Sequence, residues 1–170
     1  QLLLNSGIYH NGGTVTLGAG AGACKQHNFA VAVGYNAGHE DQGFKSVAVG
    51  VDSGMDDQKP FSVAIGPSAG RHHQKIASVA IGPFAGKQHQ GAVAIANGLF
   101  AGGFDQGNAA IAQGTVAGLI NQGDSAIAIG TAAGAFMQGE GSIAIGYSAG
   151  ASSQGVNSIA IGNGACATLQ

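Results

Sequence analysis

The chain has 170 residues, of which 32 are glycine and only 8% are charged, and it contains no tryptophan. The scarcity of charge excludes a disordered chain, and the glycine content excludes a helical protein, because each glycine in a helix costs about 1 kcal/mol relative to alanine. A net charge of −2 without a basic stripe argues against nucleic acid as a partner.

The first residues carry little information. The apolar run at residues 2–4 lacks the positive region and long hydrophobic core of a signal peptide. We expect residues 1–14 to be a degenerate lead-in or cap and residues 15–170 to form one domain without a membrane span. Because the chain stops at Gln170 in the middle of a repeat, we also expect it to be a segment of a longer chain.

A 16-residue repeat begins at Val15 and continues without a register slip. Its first column is always valine or isoleucine: Val15, Val31, Val47, Val63, Val79, Ile95, Ile111, Ile127, Ile143 and Ile159. Column 2 is Thr16 followed by nine alanines, column 4 is always glycine, and column 8 is glycine until Cys166. Column 12 is always glutamine: Gln26, Gln42, Gln58, Gln74, Gln90, Gln106, Gln122, Gln138, Gln154 and Gln170.

A fixed period of this kind predicts an all-β, parallel β-solenoid of ten 16-residue coils. At a strand spacing of about 4.8 Å, ten coils make a rod of roughly 48 Å. The two cysteines, Cys24 and Cys166, are nine coils or roughly 43 Å apart. A disulfide needs Cα atoms within about 7 Å, so they cannot pair within one chain, which leaves two tolerated small residues or an inter-chain bridge.

Each coil contains a short strand whose side chains alternate between two uncharged faces. In the segment 142–146, Ile143 and Ile145 point to one face and Ala144 to the other. A strand without charge on either face is buried on both. We expect the alanines of columns 2 and 7 to meet across a narrow interior, and the valine and isoleucine faces to be covered by other copies in a parallel homotrimer.

Turns, amides and serines complete the repeat. The glycines of columns 4, 8 and 13 are expected at turns with positive φ. The glutamines are expected to form a hydrogen-bonded ladder along the rod; the alternative is a flat array that recognises a repetitive ligand. The serines of column 16 are expected to form a ladder of their own and not to act as nucleophiles: Ser46, Ser62, Ser78, Ser142 and Ser158.

Two amides interrupt the apolar column 3 in consecutive coils. Asn97 and Gln113 would each be unpaired inside a roll, at a cost of about 1–3 kcal/mol. On a threefold axis, three amides can bond one another. We therefore expect both residues at the trimer axis, where they would set the register.

Columns 9–11 vary most and contain the candidate sites. Acidic coils come first, basic coils next and apolar coils last. Clustered carboxylates such as Asp41 and Asp57 could hold Ca²⁺, and His72, His73 and His89 could hold a transition metal; the alternative, which we favour, is a solvated charged face. We expect no cofactor and no catalytic residues.

An apolar stripe follows in the same columns. Phe104, Ile120 and Phe136 occupy column 10 in three successive coils, with Met137 and Leu119 beside them and Phe100 as a further candidate neighbour. The repeat does not require large apolar residues there, because Ser152 occupies the same column. We expect the stripe to be an interaction site, either for lateral or subunit contact or for a receptor.

The repeated segments 62–66, 78–82 and 142–150, with the last reading Ser-Ile-Ala-Ile-Gly-Tyr-Ser-Ala-Gly, resemble the head repeats of trimeric autotransporter adhesins of the YadA-like family. They are also similar to fibre repeats of large DNA viruses and phages. The resemblance implies a left-handed β-roll that trimerises side by side. This repeat is longer than the usual bacterial one, and we expect the added Gln-Gly signature to lie in its outer arc.

The resemblance implies a non-catalytic extracellular fibre or adhesin head segment, at a cell or virion surface, that attaches through its outer face. The partners would be two further copies of the chain, lateral or end-to-end filament contacts, and a host receptor or matrix ligand. The alternative is a purely structural filament or virion spike shaft. Fold alone does not choose between them.

Overall fold

The computed structural model describes residues 13–166, and within them the chain consists of strands and turns without a helix. Most of the lead-in expected at residues 1–14, and Gln170, lie outside the described residues. Fifteen strands of three residues each follow one another: β1 (Val15–Leu17), β2 (Val31–Val33), β3 (Val47–Val49), β4 (Val63–Ile65), β5 (Val79–Ile81), β6 (Gln88–Gln90), β7 (Ile95–Asn97), β8 (Phe104–Gln106), β9 (Ile111–Gln113), β10 (Ile120–Gln122), β11 (Ile127–Ile129), β12 (Phe136–Gln138), β13 (Ile143–Ile145), β14 (Ser152–Gln154) and β15 (Ile159–Ile161).

The strands form two parallel sheets. The first, here called sheet A, has ten strands in the order β1-β2-β3-β4-β5-β7-β9-β11-β13-β15, and each residue pairs with the residue 16 positions later, as Val15 does with Val31. The second, sheet B, stacks β6, β8, β10, β12 and β14. It continues towards the first coils as single bridges, such as Asp56 to His72. The prediction of an all-β parallel solenoid with a 16-residue step is confirmed.

Backbone hydrogen bonds join successive coils through the turns as well as through the strands. At one corner, the amide of Gly98 donates to the carbonyl of Ile81 at 2.8 Å, and the amide of Phe100 donates to Pro83 at 3.0 Å. On the far side, the amide of Gly86 donates to Ala101 at 2.9 Å. Turns can therefore lie in the wall of the solenoid without leaving their polar backbone groups unpaired.

The interior is built from alanine. Ala64 in column 2 and Ala69 in column 7 are completely buried and belong to one cluster with their counterparts in neighbouring coils. The predicted meeting of columns 2 and 7 across a narrow interior is confirmed. Valine and isoleucine of columns 1 and 3 point outward, as their partial exposure shows along sheet A.

The glutamines of column 12 also lie inside the roll, so the prediction that they belong to the outer arc is wrong. Gln42 and Gln74 are completely buried. The Nε2 of Gln74 donates to the carbonyl of Val63 at 2.8 Å and to that of Ser78 at 3.3 Å. A buried amide is tolerated because its polar atoms find main-chain partners.

Turn geometry differs from the prediction in one column. Glycines of columns 4 and 8 have positive φ, for example +121° at Gly66 and +51° at Gly70. The glycines of column 13, such as Gly43, do not; a Cβ there would lie 2.5 Å from the backbone of Lys59 and Pro60. Close approach of the next coil, and not φ, therefore favours glycine in column 13.

Non-glycine residues in columns 6, 11 and 15 adopt the left-handed conformation instead, as Asn36, Asp41 and Val93 do. This conformation strains most side chains, and β-branched ones most of all. The serines of column 16 do not form a ladder either, since the Oγ of Ser62 donates to the carbonyl of Lys59 within its own turn at 2.6 Å. Each coil therefore satisfies these hydroxyls locally.

Candidate interaction surfaces

The outer face of sheet A is a continuous apolar surface. Ile65 and Ile81 are each 39% exposed, and Ile95 is 41% exposed, although strand neighbours lie on both sides of each. Eight of the ten strands present an apolar pair on this face, and together they form an apolar stripe larger than soluble monomers normally expose. This face is the first candidate interaction surface.

Asn97 and Gln113 lie on the same outer face. They are direct partners in the pairing of β7 with β9, and both side chains are exposed. Neither side chain lies in the interior of the roll, so neither amide is buried within one chain. Their position at a trimer axis remains a prediction.

On the opposite side of the rod, charges of the first coils pair with one another. The Nδ1 of His72 lies 2.6 Å from the Oδ2 of Asp56, and the guanidinium of Arg71 lies 3.8 Å from Asp52. Lys59 donates a hydrogen bond to Asp57, which raises the pKa of the lysine above its ordinary value. The charges of Asp57 and Asp41 act in the same direction. These coils present a neutralised polar surface.

The three candidate metal-binding histidines do not converge. His72 faces Asp56, whereas the rings of His73 and His89 stand 5.1 Å apart and His89 lies 2.9 Å from Asp105. Within residues 13–166, no group of three or more His, Cys, Asp or Glu side chains is placed to hold a metal ion. Asp41 lies 3.3 Å from the Nε2 of His27, and it belongs to no such group within these residues.

The predicted apolar stripe is brought together in sheet B. Phe104, Ile120 and Phe136 are direct partners across β8, β10 and β12. Phe136 is 45% exposed and Met137 is 56% exposed, while Phe104 and Ile120 are half-buried. This set is the second candidate interaction surface.

The stripe extends around the corner of the coil through Phe100, which the sequence placed beside it as a candidate, and through Phe84 and Lys87, which sequence reasoning missed. The ring of Phe84 stacks on that of Phe100 at 4.6 Å. The ammonium of Lys87 lies 5.4 Å from the ring centre of Phe84 and 5.7 Å from that of Phe104. The usable signal was Lys87 itself, which is the last cation of the chain.

The glutamine column forms an interrupted ladder. Hydrogen bonds at 3.0–3.2 Å join Gln26 to Gln42, Gln58 to Gln74, Gln74 to Gln90, and Gln106 to Gln122. Within the described part of the chain, the Oε1 atoms of four members have no hydrogen-bond partner: Gln58, Gln106, Gln138 and Gln154. Since these amides lie inside the roll, they cannot form an array that faces an external ligand.

Both cysteines are free in the single chain. Cys24 is exposed and Cys166 is partly exposed, and they belong to the first and last described coils. Their thiols therefore remain available for the inter-chain bridge that the sequence left open.

A parallel solenoid with an alanine and glutamine interior and an exposed apolar sheet belongs to the class of β-solenoid repeat domains. The family model of the YadA head domain repeat matches the chain twice, at residues 122–149 and 138–165. The copies are offset by 138 − 122 = 16 residues, which equals the step of the solenoid. This match confirms the resemblance and indicates an adhesin-like role.

No curated protein and no solved structure matches the chain. Between Gly13 and Cys166, no helix is long and apolar enough to cross a membrane.

Proposed function

We propose that the chain is a non-catalytic head segment of an extracellular fibre, in which three parallel copies pack side by side and attach to a surface through their outer faces. The fibre would stand on a cell or virion surface. Each copy would be a left-handed roll of ten coils, with residues 1–14 as its cap.

The exposed outer face of sheet A is the observation that supports the trimer. Valine and isoleucine side chains point away from the alanine interior in every coil, and about 25 cal/mol is gained for each Å² of such surface removed from water. Packing three copies around one axis covers this face without changing the roll. The same packing would place the amides of Asn97 and Gln113 where three copies can bond one another.

Light scattering of the purified segment tests the trimer. We expect a single species with three times the mass of the chain, independent of concentration over the micromolar range. A folded species with the mass of one chain contradicts the proposal.

The stripe of Phe104, Ile120, Phe136 and Met137 supports attachment through the outer face. Coil packing does not select these side chains, since Ser152 occupies the same column in β14. Large apolar residues that the fold does not need indicate contact with a partner.

A triple substitution tests the role of the stripe. Phe104→Ser, Ile120→Ser and Phe136→Ser together should leave the fold intact and lower the attachment of rod-coated beads to surfaces coated with extracellular-matrix protein. Gln88→Ser, in the same column of sheet B but outside the stripe, serves as the control. Unchanged attachment by the triple variant contradicts the proposal, and a complete lack of attachment by the unaltered rod supports a purely structural filament or spike shaft instead.

A further inference from the structure

The two edges of sheet A change from apolar to polar at the same height along the rod. The leading edge is defined here as columns 14 and 15, which precede each strand, and the trailing edge as column 5, which follows it. In the first coils the leading edge carries the polar residues Asn28 and Lys45, but its other large side chains are apolar: Phe29, Phe44, Phe61, Ile76 and Val93. Those of the trailing edge are apolar as well: Tyr35, Val51, Pro67, Pro83 and Leu99.

Beyond β7 both edges become polar. The leading edge continues with Asn108, Asp124, Ser125, Glu140 and Asn157. The trailing edge continues with Thr115, Thr131 and Asn163. The exceptions are Val156 on the leading edge and Tyr147 on the trailing edge. Val93 and Leu99 flank β7, whereas Asn108 and Thr115 flank β9, so the change falls between the same two strands on both edges.

Packing within the chain does not bury these apolar edge residues. Val93 is 62% exposed, Phe61 51% and Leu99 43%. The phenylalanines do contact one another, with ring centres 5.8 Å apart for Phe29 and Phe44. That contact runs along the edge and leaves its outward side open.

Cyclic symmetry explains why two separated edges should match. Three flat sheets around a threefold axis form a triangular prism, and rotation brings the leading edge of each sheet to the trailing edge of the next. A pure rotation includes no shift along the axis, so equivalent strands lie at equal height. A partner of another kind on one edge would give no reason for the opposite edge to change at the same strand.

We infer that a second copy of this chain covers each edge. The leading edge of one copy packs in register against the trailing edge of the next, and this contact is called the seam. The seam excludes water from β1 to β7 and is hydrated beyond β7. This inference rests on the proposed trimer and adds its register and contacts. Val93 of one copy faces Leu99 of its neighbour. The stripe of Phe104, Ile120, Phe136 and Met137 then faces away from the axis.

Disulfide trapping tests the register. In a background of Cys24→Ser and Cys166→Ser, the pair Val93→Cys and Leu99→Cys is oxidised with diamide and run on a non-reducing gel. Because β7 separates the two positions within a chain, bridges form only between chains, and three of them give a covalent trimer. The matched pair Val93→Cys and Thr131→Cys lies two coils out of register and should stay unlinked.

Charge insertion tests the dry and wet halves of the seam. Val93→Asp should weaken trimer association by at least about tenfold, because it buries an unpaired carboxylate. Ser125→Asp in the same column should have little effect, because its surroundings are polar. Circular dichroism checks that each variant remains a folded solenoid.

Each outcome decides between the seam and the trimer. Three results overturn the seam and leave the trimer standing, provided that light scattering shows a trimer. They are no disulfide in the Val93→Cys and Leu99→Cys variant, a disulfide in the Val93→Cys and Thr131→Cys variant, or unchanged association of the Val93→Asp variant. A monomer overturns both. A covalent trimer confined to the 93–99 pair, with weakened association only in Val93→Asp, establishes the seam.

Discussion

The first and second halves of the rod, residues 13–92 and 93–166, share one interior and differ on their surfaces. Ala64 and Ala69 in the first half and Ala128 and Ala133 in the second are equally and completely buried. Outside, paired charges around Asp56 and His72 give way to the apolar stripe. The spacing between coils thus dictates the interior, whereas the outer columns are free to carry different contacts.

The largest expected effect tests whether the interior really is the same in both halves. A Cβ at Gly66 would lie 2.8 Å from the backbone of Gly82, and one at Gly130 would lie 2.6 Å from that of Gly146. Gly66→Ala and Gly130→Ala should each lower the free energy of unfolding by about 3 kcal/mol or more, from strain and collision together. Urea unfolding followed by circular dichroism measures both.

Gly162→Ala is the matched control for that pair. Its φ is +121°, but the nearest atom to the added Cβ is 4.0 Å away, so only strain remains, at about 1–3 kcal/mol. A clear difference between Gly66→Ala and Gly130→Ala would show that the two halves are not equivalent inside.

The next effect separates the two roles of the buried glutamines. Gln74 donates to Val63 and takes part in two ladder bonds, whereas Gln138 donates to Ile127 at 2.7 Å and has an unpaired Oε1. Gln74→Ala should cost about 2 kcal/mol more than Gln138→Ala in urea unfolding, because Gln74 loses two further hydrogen bonds that contribute about 1 kcal/mol each. Equal losses would mean that the ladder adds nothing to the main-chain bonds.

The junction between the halves offers a gain in stability. Asn97→Ile together with Gln113→Ile removes two exposed amides from the apolar face of sheet A, where Ile81 and Ile129 are their neighbours. If three copies meet there, thermal stability of the trimer should rise by several degrees. The single variant Gln113→Asn, which keeps an amide, should change little, and a fall in the double variant contradicts an axial position.

The smallest expected effect concerns strain in column 6. Val116 has a φ of +52°, a conformation that disfavours β-branched residues, and Asn36 occupies the same column at +50°. Val116→Asn should therefore stabilise the chain by about 1 kcal/mol. The reverse change, Asn36→Val, should destabilise it by a similar amount in thermal unfolding, and a stabilising Asn36→Val would disprove the argument.

The fold could be predicted from the sequence because the columns with the least variation are those where the available space limits the size of the side chain. Only small side chains fit between the walls of the roll at columns 2 and 7, where Thr16 and Ser53 replace alanine, and only glycine fits where Gly34 meets Gly50. Such limits leave an unbroken period in the sequence. The pairing of Phe104 with Ile120 and Phe136 followed directly from that period.

The glutamines were misplaced because the extra length of the repeat was assigned to an outer arc, while their true partners are carbonyls such as that of Val63, which carry no sequence signal. The left-handed residues of columns 6, 11 and 15 were missed for a related reason. Side chains as different as Phe84 and Asp52 share that conformation, so the stacked backbone imposes it where residue preference does not.

The constant 16-residue step has a consequence for how such a rod can change length. Since every coil bonds only its neighbours in an identical register, adding or removing one whole coil preserves every remaining interface and alters the reach by about 4.8 Å. An insertion of an odd number of residues within a strand would turn the alanine side chains that follow it outward and the isoleucine side chains inward. The length of a regular solenoid of this kind therefore changes in steps of one coil.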